Sequence, residues 1–448
     1  MGGEITAQHI GGNDYAVTLT AYRDTLGVEM YTTANFNVKD IAGNPLFQFS
    51  CDYDTQISGI LIPGYPYGVE IYIYHDTITL PGPGTYSITY SDCCRNAAIL
   101  NMSFSDGESM VLKTIIADDT ISNSTPVFLA PPVFFVQINT PWVYSPLPYD
   151  PDGDSLNWYL GIPLSGDALM PVLVAGYTLP FADTTGSFTV DPFTGAVSWT
   201  PSTLGNFATS VIVEEYRNGV KIGEIRRDIQ MIVVADTSAI AKIVNFNSIP
   251  VNGQGYPYVE IFTDQNYSLT LYASDPDPSE MVKMFSYGEP YLFDQDAATF
   301  TTAYPNKKND NNLTANFNWS PNATMARDEP YFIVFRVSDN YFTHDYTVMF
   351  KVSAPAAIAE NNVFSIGNIY PNPINSMIFL TVSLDKETKI SMRILDILGN
   401  QVYKMPEGFY DTGKHLLSGV TDLPNGQYIA QVLKDDKVYK TQKIVVIR

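Results

Sequence analysis

The sequence predicts an all-β protein, a row of β-sandwiches ending in a smaller one, and three observations lead there. With 30 Gly, 30 Pro and 30 Tyr against 16% charged residues, the composition favours strands and turns over helices. Short runs that alternate apolar and polar residues, such as "DYAVTLTAY" (14–22) and "GVEIYIYHDTITL" (68–80), are parted by turns rich in Gly and Pro. At 448 residues the chain has room for three or four units of about 100 residues, each burying its own core.

The first unit is expected over residues 1–130. Its cysteines, Cys51 and the adjacent Cys93 and Cys94, allow one disulfide from Cys51 to either neighbour, stapling two sheets; buried free thiols fit the spacing equally well. A Pro-rich stretch, "STPVFLAPP" (124–132), then leads into a second unit over 131–236, closing with the strand-like "RRDIQMIVVAD". A third unit, 237–356, repeats its grammar. "YDPDGDSLNW" (149–158) answers "SDPDPSEMV" (274–282), and "GAVSWTPSTLGNF" answers "ANFNWSPNATMARDEPY". In both, a Trp fills the core and the Pro two residues on ends its strand: Trp199 with Pro201, and Trp319 with Pro321. After the small-residue linker "SAPAAIAENN" the last unit, 357–448, carries strands at 377–384, 389–395, 401–405, 428–433 and 438–447. Gly and Asn supply the positive φ its hairpins need.

Charge and hydropathy narrow the function. With 47 acidic against 25 basic residues the formal charge is −22, which repels phosphate backbones and excludes nucleic acid as a partner. No run of 18 or more apolar residues occurs, so no membrane-spanning helix is expected. The start "MGGEITAQHI" lacks the basic and apolar regions of a signal peptide, as in a mature chain that has lost its leader.

Two acidic turns are candidate Ca²⁺ sites. Asp150, Asp152 and Asp154 alternate in "DPDGDS", and closely spaced carboxylates in a turn can converge as hard oxygen ligands. The third unit has Asp275, Asp277 and Glu280 at the matching place, with Asp339 of "VSDN" as a further ligand. Calcium at these places would brace the domain junctions. The competing reading is a solvated turn whose Asp side chains cap backbone N–H groups.

No catalytic constellation is visible. His9 and His75 fall in the first unit, His344 in the third and His415 in the last, with no HExxH, no GxSxG and no cysteine beside a base. The chain is therefore not expected to be an enzyme.

The last unit resembles the type A C-terminal sorting domain of cargo for the type IX secretion system of Bacteroidota. The resemblance is carried by "YPNP" (Tyr370, Pro371, Asn372 and Pro373), by "ISMRILDILGNQVY" with Gly399, by "LPNGQYIAQV" with Pro424, Asn425, Gly426 and Tyr428, and by the closing "KTQKIVVIR". It implies export across the outer membrane through the type IX translocon. The middle units resemble immunoglobulin-like or cadherin-like repeats through "DPDGDSLNW" and "VDPFTGAVSWTP", and the first is similar to N-terminal domains of gliding-associated surface proteins. In cadherin-like repeats a similar acidic cluster binds Ca²⁺ with help from the neighbouring domain. The expectation is a secreted or cell-surface structural or adhesive protein, a subunit of a filament or surface layer. The alternatives are a monomeric adhesin that binds a glycan or a surface protein, and, further off, a secreted hydrolase.

Overall fold

In the strand Asp14–Asp24, Tyr15, Val17, Leu19 and Ala21 face inward and the residues between them face out, as period-two alternation requires. The same pattern puts Leu313, Ala315, Phe317 and Trp319 inward along Asn312–Trp319. The computed structural model describes residues 2–62, 67–118, 123–180, 188–236, 238–305, 310–354 and 364–447. Among them it is all-β, with no α-helix and only short 3-10 turns between strands. Its strands build layered β-sheets, with a small sandwich at the C-terminal end.

The first two expected units do not separate at residue 130. One sheet runs in the order Pro45–Asp52, Thr33–Asp40, Gly84–Asp92, Met110–Asp118, Val220–Val234, Gly2–Gly11, Asp14–Asp24, Val69–Thr79, Ile60–Ile62. The Val220–Val234 strand thus lies inside the sheet of the first unit, with Gly2 opposite Ile229 and Gly223 opposite Ile116. It reaches there because it is one arm of a long hairpin with Gly205–Arg217. The hairpin turns at Asn218 and Gly219, whose φ values of 53° and 77° are those of a two-residue turn that matches strand twist. The other half of the same hairpin closes the second core, where Trp142, Phe188, Trp199 and Phe207 pack edge to face.

The third unit closes on itself with two four-stranded sheets around Leu271, Phe317, Trp319, Phe335 and Phe350. The internal repeat holds at atomic detail. Trp199 pairs across strands with Trp142, and Trp319 with Tyr267. The carbonyl of Pro201 accepts from Asn139 N–H and that of Pro321 from Asp264 N–H, each at 2.8 Å. Asn139 and Asp264 both have positive φ, 56° and 61°.

The sorting sandwich has a three-stranded and a four-stranded sheet. Five of its strands stand where the sequence places them; Ser365–Tyr370 and Gly413–Val420 are additional. Gly413–Val420 escapes the alternation rule because its register partner Met377–Leu384 buries it unevenly: only Leu417 is fully inside.

Buried ion pairs brace the junctions. Arg227, 2% exposed in its side chain, pairs with Glu4 and donates to the Ala130 carbonyl at 2.5 Å and the Tyr144 hydroxyl at 2.7 Å. Arg95 of the first unit forks onto Asp228 at 2.8 and 2.6 Å. Arg336 of the third unit grips Asp345 and reaches the Pro131 carbonyl of the second at 2.8 Å, while Asp345 accepts from Ser145 N–H. Such two-point contacts fix orientation as well as distance.

Candidate metal centre and sorting tail

The acidic turn of the second unit is shaped by Asp150. Its Oδ1 accepts from the backbone N–H groups of Asp152 and Asp154, both at 2.9 Å, and Gly153 takes the positive φ that the turn needs. This capping is the turn chemistry that competes with metal binding in the sequence, but it uses one oxygen. Oδ2, on a residue 6% exposed, has no hydrogen-bond partner.

Opposite it stands Glu215, fully buried on the Gly205–Arg217 strand, whose Oε1 is also without a partner. Its Oε2 accepts from Asn123 Nδ2 at 3.1 Å. The strand pairing shifts register between Glu215 and Tyr216, and opposite the shift lies Gly223, where a Cβ would overlap the Glu215 carboxylate. The glycine is there for space.

Asp154 completes the group. Asp150, Asp154 and Glu215 each offer an oxygen, all within 4.8 Å of one another, and among the described residues theirs is the group of three that does so. Arg217 lies against Asp154, with Nε 3.0 Å from Oδ1 and Nη2 2.5 Å from Oδ2, and donates to Asn123 Oδ1 at 2.7 Å. The electrostatics follow from burial among like charges. Burial pushes the Asp150 carboxyl up to about 7, with the charges of Asp154 and Asp152 adding to it against the two backbone hydrogen bonds. Glu215 is pushed up to about 9 by burial first and then by Asp150 and Asp154, against Asn123 and Arg217.

Asp152 stands apart from this group. Its Oδ2 accepts from Ser124 N–H at 2.5 Å, so it ties down the linker instead. Glu215, 61 residues after Asp154, escaped the sequence reading because it sits in an apolar strand pattern, where a second acid after Glu214 reads as surface.

In the third unit, Asp275, Asp277, Glu280 and Asp339 do not bring three such oxygens together. Asp277 turns to Ser279, Glu280 accepts from Asn340, and Asp339 Oδ1 caps Tyr341 and Phe342, both at 2.7 Å. Asp275 and Asp339 are held above the usual carboxylate range by burial, and the Asp339 charge adds to it at Asp275.

The cysteines pair differently from the expected bridge: Cys93 is joined to Cys94, and Cys51 is a free thiol. The Thr33–Asp40 strand lies between Cys51's strand and Gly84–Asp92, which precedes the pair. Two strand spacings, about 10 Å, exceed the Cα separation of about 7 Å that a disulfide spans. Burial, then Asp76 and Asp52, push the Cys51 thiol up to about 11.

The sorting residues collect at one end of the last sandwich. Asn372 accepts from Val445 N–H at 2.8 Å and donates to the Lys443 carbonyl, clipping the Tyr370–Pro373 block to the closing strand Lys437–Val446. Ile374 bridges to Val446, which also pairs with Gly426, the first residue of the next block. Tyr428 donates to the Pro424 carbonyl at 2.8 Å, folding the Pro424–Asn425–Gly426 turn back on its strand. Gly399, with φ 87°, completes a turn tied by Asp396 that follows Leu395, itself opposite Ile429. Blocks far apart in sequence are therefore neighbours in the fold. Residues 368–447 match the secretion system C-terminal sorting domain.

That domain marks the chain as cargo of the type IX secretion system, delivered to the cell surface or extracellular space. No helix among the described residues is long and apolar enough to cross a membrane. No curated protein sequence matches the chain. Similar solved structures include the N-terminal eight Ig domains of Down Syndrome Cell Adhesion Molecule, at 10% identity over 99% of this chain and 49% of that one, TM-score 0.20. Domains 4–9 of surface layer protein SbsC are 13% identical over 70% and 48%, TM-score 0.16. Endo-fucoidan hydrolase MfFcnA4 of glycoside hydrolase family 107 is 12% identical over 77% and 42%, TM-score 0.17. This chain spans less than half of each, and overlaps this small carry no argument about its role.

Proposed function

We propose that the chain is a non-catalytic structural or adhesive component of the cell surface, exported by the type IX pathway of a Bacteroidota cell. Its row of sandwiches presents loops and edges to copies of itself in a filament or surface layer, or to a glycan or surface protein. The observation that supports this most is the bracing of successive units by buried Arg–carboxylate pairs, at Arg227, Arg95 and Arg336, which suits a part that carries load. The histidines agree with it: His9 and His415 bond to nearby backbone carbonyls, His75 is exposed, and His344 packs on Tyr346.

A variant lacking residues 364–447 is expected to remain in the periplasm while the full chain reaches the surface. Negative-stain imaging of the purified full chain is expected to show rods or filaments. Secretion of the truncated chain overturns the export reading, and compact monomers that bind no surface polymer overturn the structural one.

A further inference from the structure

The buried carboxylates of the second unit pose a problem of charge. Asp150, Asp154 and Glu215 each offer an oxygen within 4.8 Å of the others, and Asp150 Oδ2 and Glu215 Oε1 are enclosed with no donor to satisfy them. An unpaired buried carboxylate costs far more than a paired one, so such groups either hold protons or coordinate a cation. Arg217 does not resolve it: it donates to Asp154 and Asn123, and neither Asp150 Oδ2 nor Glu215 Oε1 accepts from it. Three carboxylates against one guanidinium leave two negative charges, which a single divalent cation would balance.

We propose that Asp150, Asp154 and Glu215 bind one Ca²⁺ ion that clasps the 123–124 linker to the long hairpin. The donors are all hard carboxylate oxygens, the chemistry Ca²⁺ takes, with water filling the remaining positions of its six to eight. Ca²⁺ suits the irregular geometry better than Mg²⁺, which demands a near-octahedral cage. Asp150 and Asp154 also line a cavity of about 480 Å³ that opens between the second, third and last units and gives the ion a way in.

Around the ion, Asn123 bonds both Glu215 and Arg217, Ser124 N–H bonds Asp152, and Thr125 N–H bonds the Ala7 carbonyl of the first strand. The ion therefore holds the point where the chain passes from the first sheet into the second unit. This site lies within one unit and needs no acid from a neighbour.

The test uses the full chain, stripped with EDTA. Titration with Tb³⁺ is expected to give luminescence sensitised by Trp158, which lines the same cavity, and Ca²⁺ is expected to quench it by competition. Ca²⁺ is expected to raise the unfolding midpoint as any ligand of the native state does. Glu215→Gln and Asp150→Asn, which keep shape and remove charge, are expected to weaken binding by about tenfold or more, while Asp339→Asn leaves it unchanged. Absence of Ca²⁺ binding to the unaltered chain at millimolar concentration overturns the proposal, and so does Ca²⁺ binding of equal strength in Glu215→Gln. A midpoint that follows pH but ignores Ca²⁺ assigns a shared proton to the pair and overturns it as well.

Discussion

The second and third units share a repeat yet close in different ways. Both put a Trp in the core, end its strand two residues later with a Pro, and tie that Pro's carbonyl to a residue of positive φ. The third unit then closes with its own two sheets, whereas the second lends one arm of its hairpin to the first unit's sheet. Their acidic turns differ in the same way. Asp150 and Asp275 each spend Oδ1 on the turn and leave Oδ2 without a partner. The long hairpin brings Glu215 to the first, and among the described residues no strand brings an equivalent third acid to the second. A repeated sequence fixes the local pleat and its aromatic plug; what gathers around it depends on which distant strand arrives.

The most severe way to break the difference is Arg227→Ala. It leaves Glu4 buried without its counter-charge where the shared strand crosses between units, and is expected to cost about 3–5 kcal/mol. Hydrogen–deuterium exchange followed peptide by peptide in rising urea should show the first two units losing stability together, and a loss confined to either one would contradict the shared sheet.

Trp319→Ala, of comparable or smaller effect at about 3–5 kcal/mol, removes the plug of the self-contained unit. Its cost should fall on one transition and leave that of the first two units in place; a shift of both in concert would show that the third unit is not closed by itself.

The mildest effect concerns His344, on a third-unit strand, which burial holds below the usual histidine value, with Lys242 adding to this and Asp345 opposing it. The folded state then takes up a proton less readily than the unfolded chain. The stability this gives is present above the unfolded value of about 6.5 and is lost as pH falls through the folded one. The third unit's unfolding midpoint is expected to drop on acidification below about 6.5, and His344→Asn to flatten that drop; an equal slope in the variant would remove histidine from the account.

The fold class, the internal repeat and five tail strands were legible because each rests on local alternation and on turns made by nearby residues. Asp150 was legible as well, since the spacing of "DPDGD" announces a turn crowded with carboxylates. Glu215 and Gly223 were not. One reads as an ordinary strand acid and the other as a weak point in a strand, and their purpose appears only when Gly205–Arg217 folds back across Val220–Val234. The boundary at 130 failed for the same reason, as composition marks a linker but cannot reveal that a strand 90 residues later will pass back over it. Cys93 and Cys94 show the limit from the other side: the sequence offered Cys51 to either neighbour, and an intervening strand removes both pairings.

Asn372 is bonded to Val445, so the opening block of the sorting sandwich is held in place by a strand some seventy residues further along. On a ribosome, the Tyr370–Pro373 segment emerges some seventy residues before its partner. A polypeptide whose translation stops between the two would carry the first letters of its address without the surface that makes them readable. The opening block therefore takes up its folded position only once the closing strand has followed it.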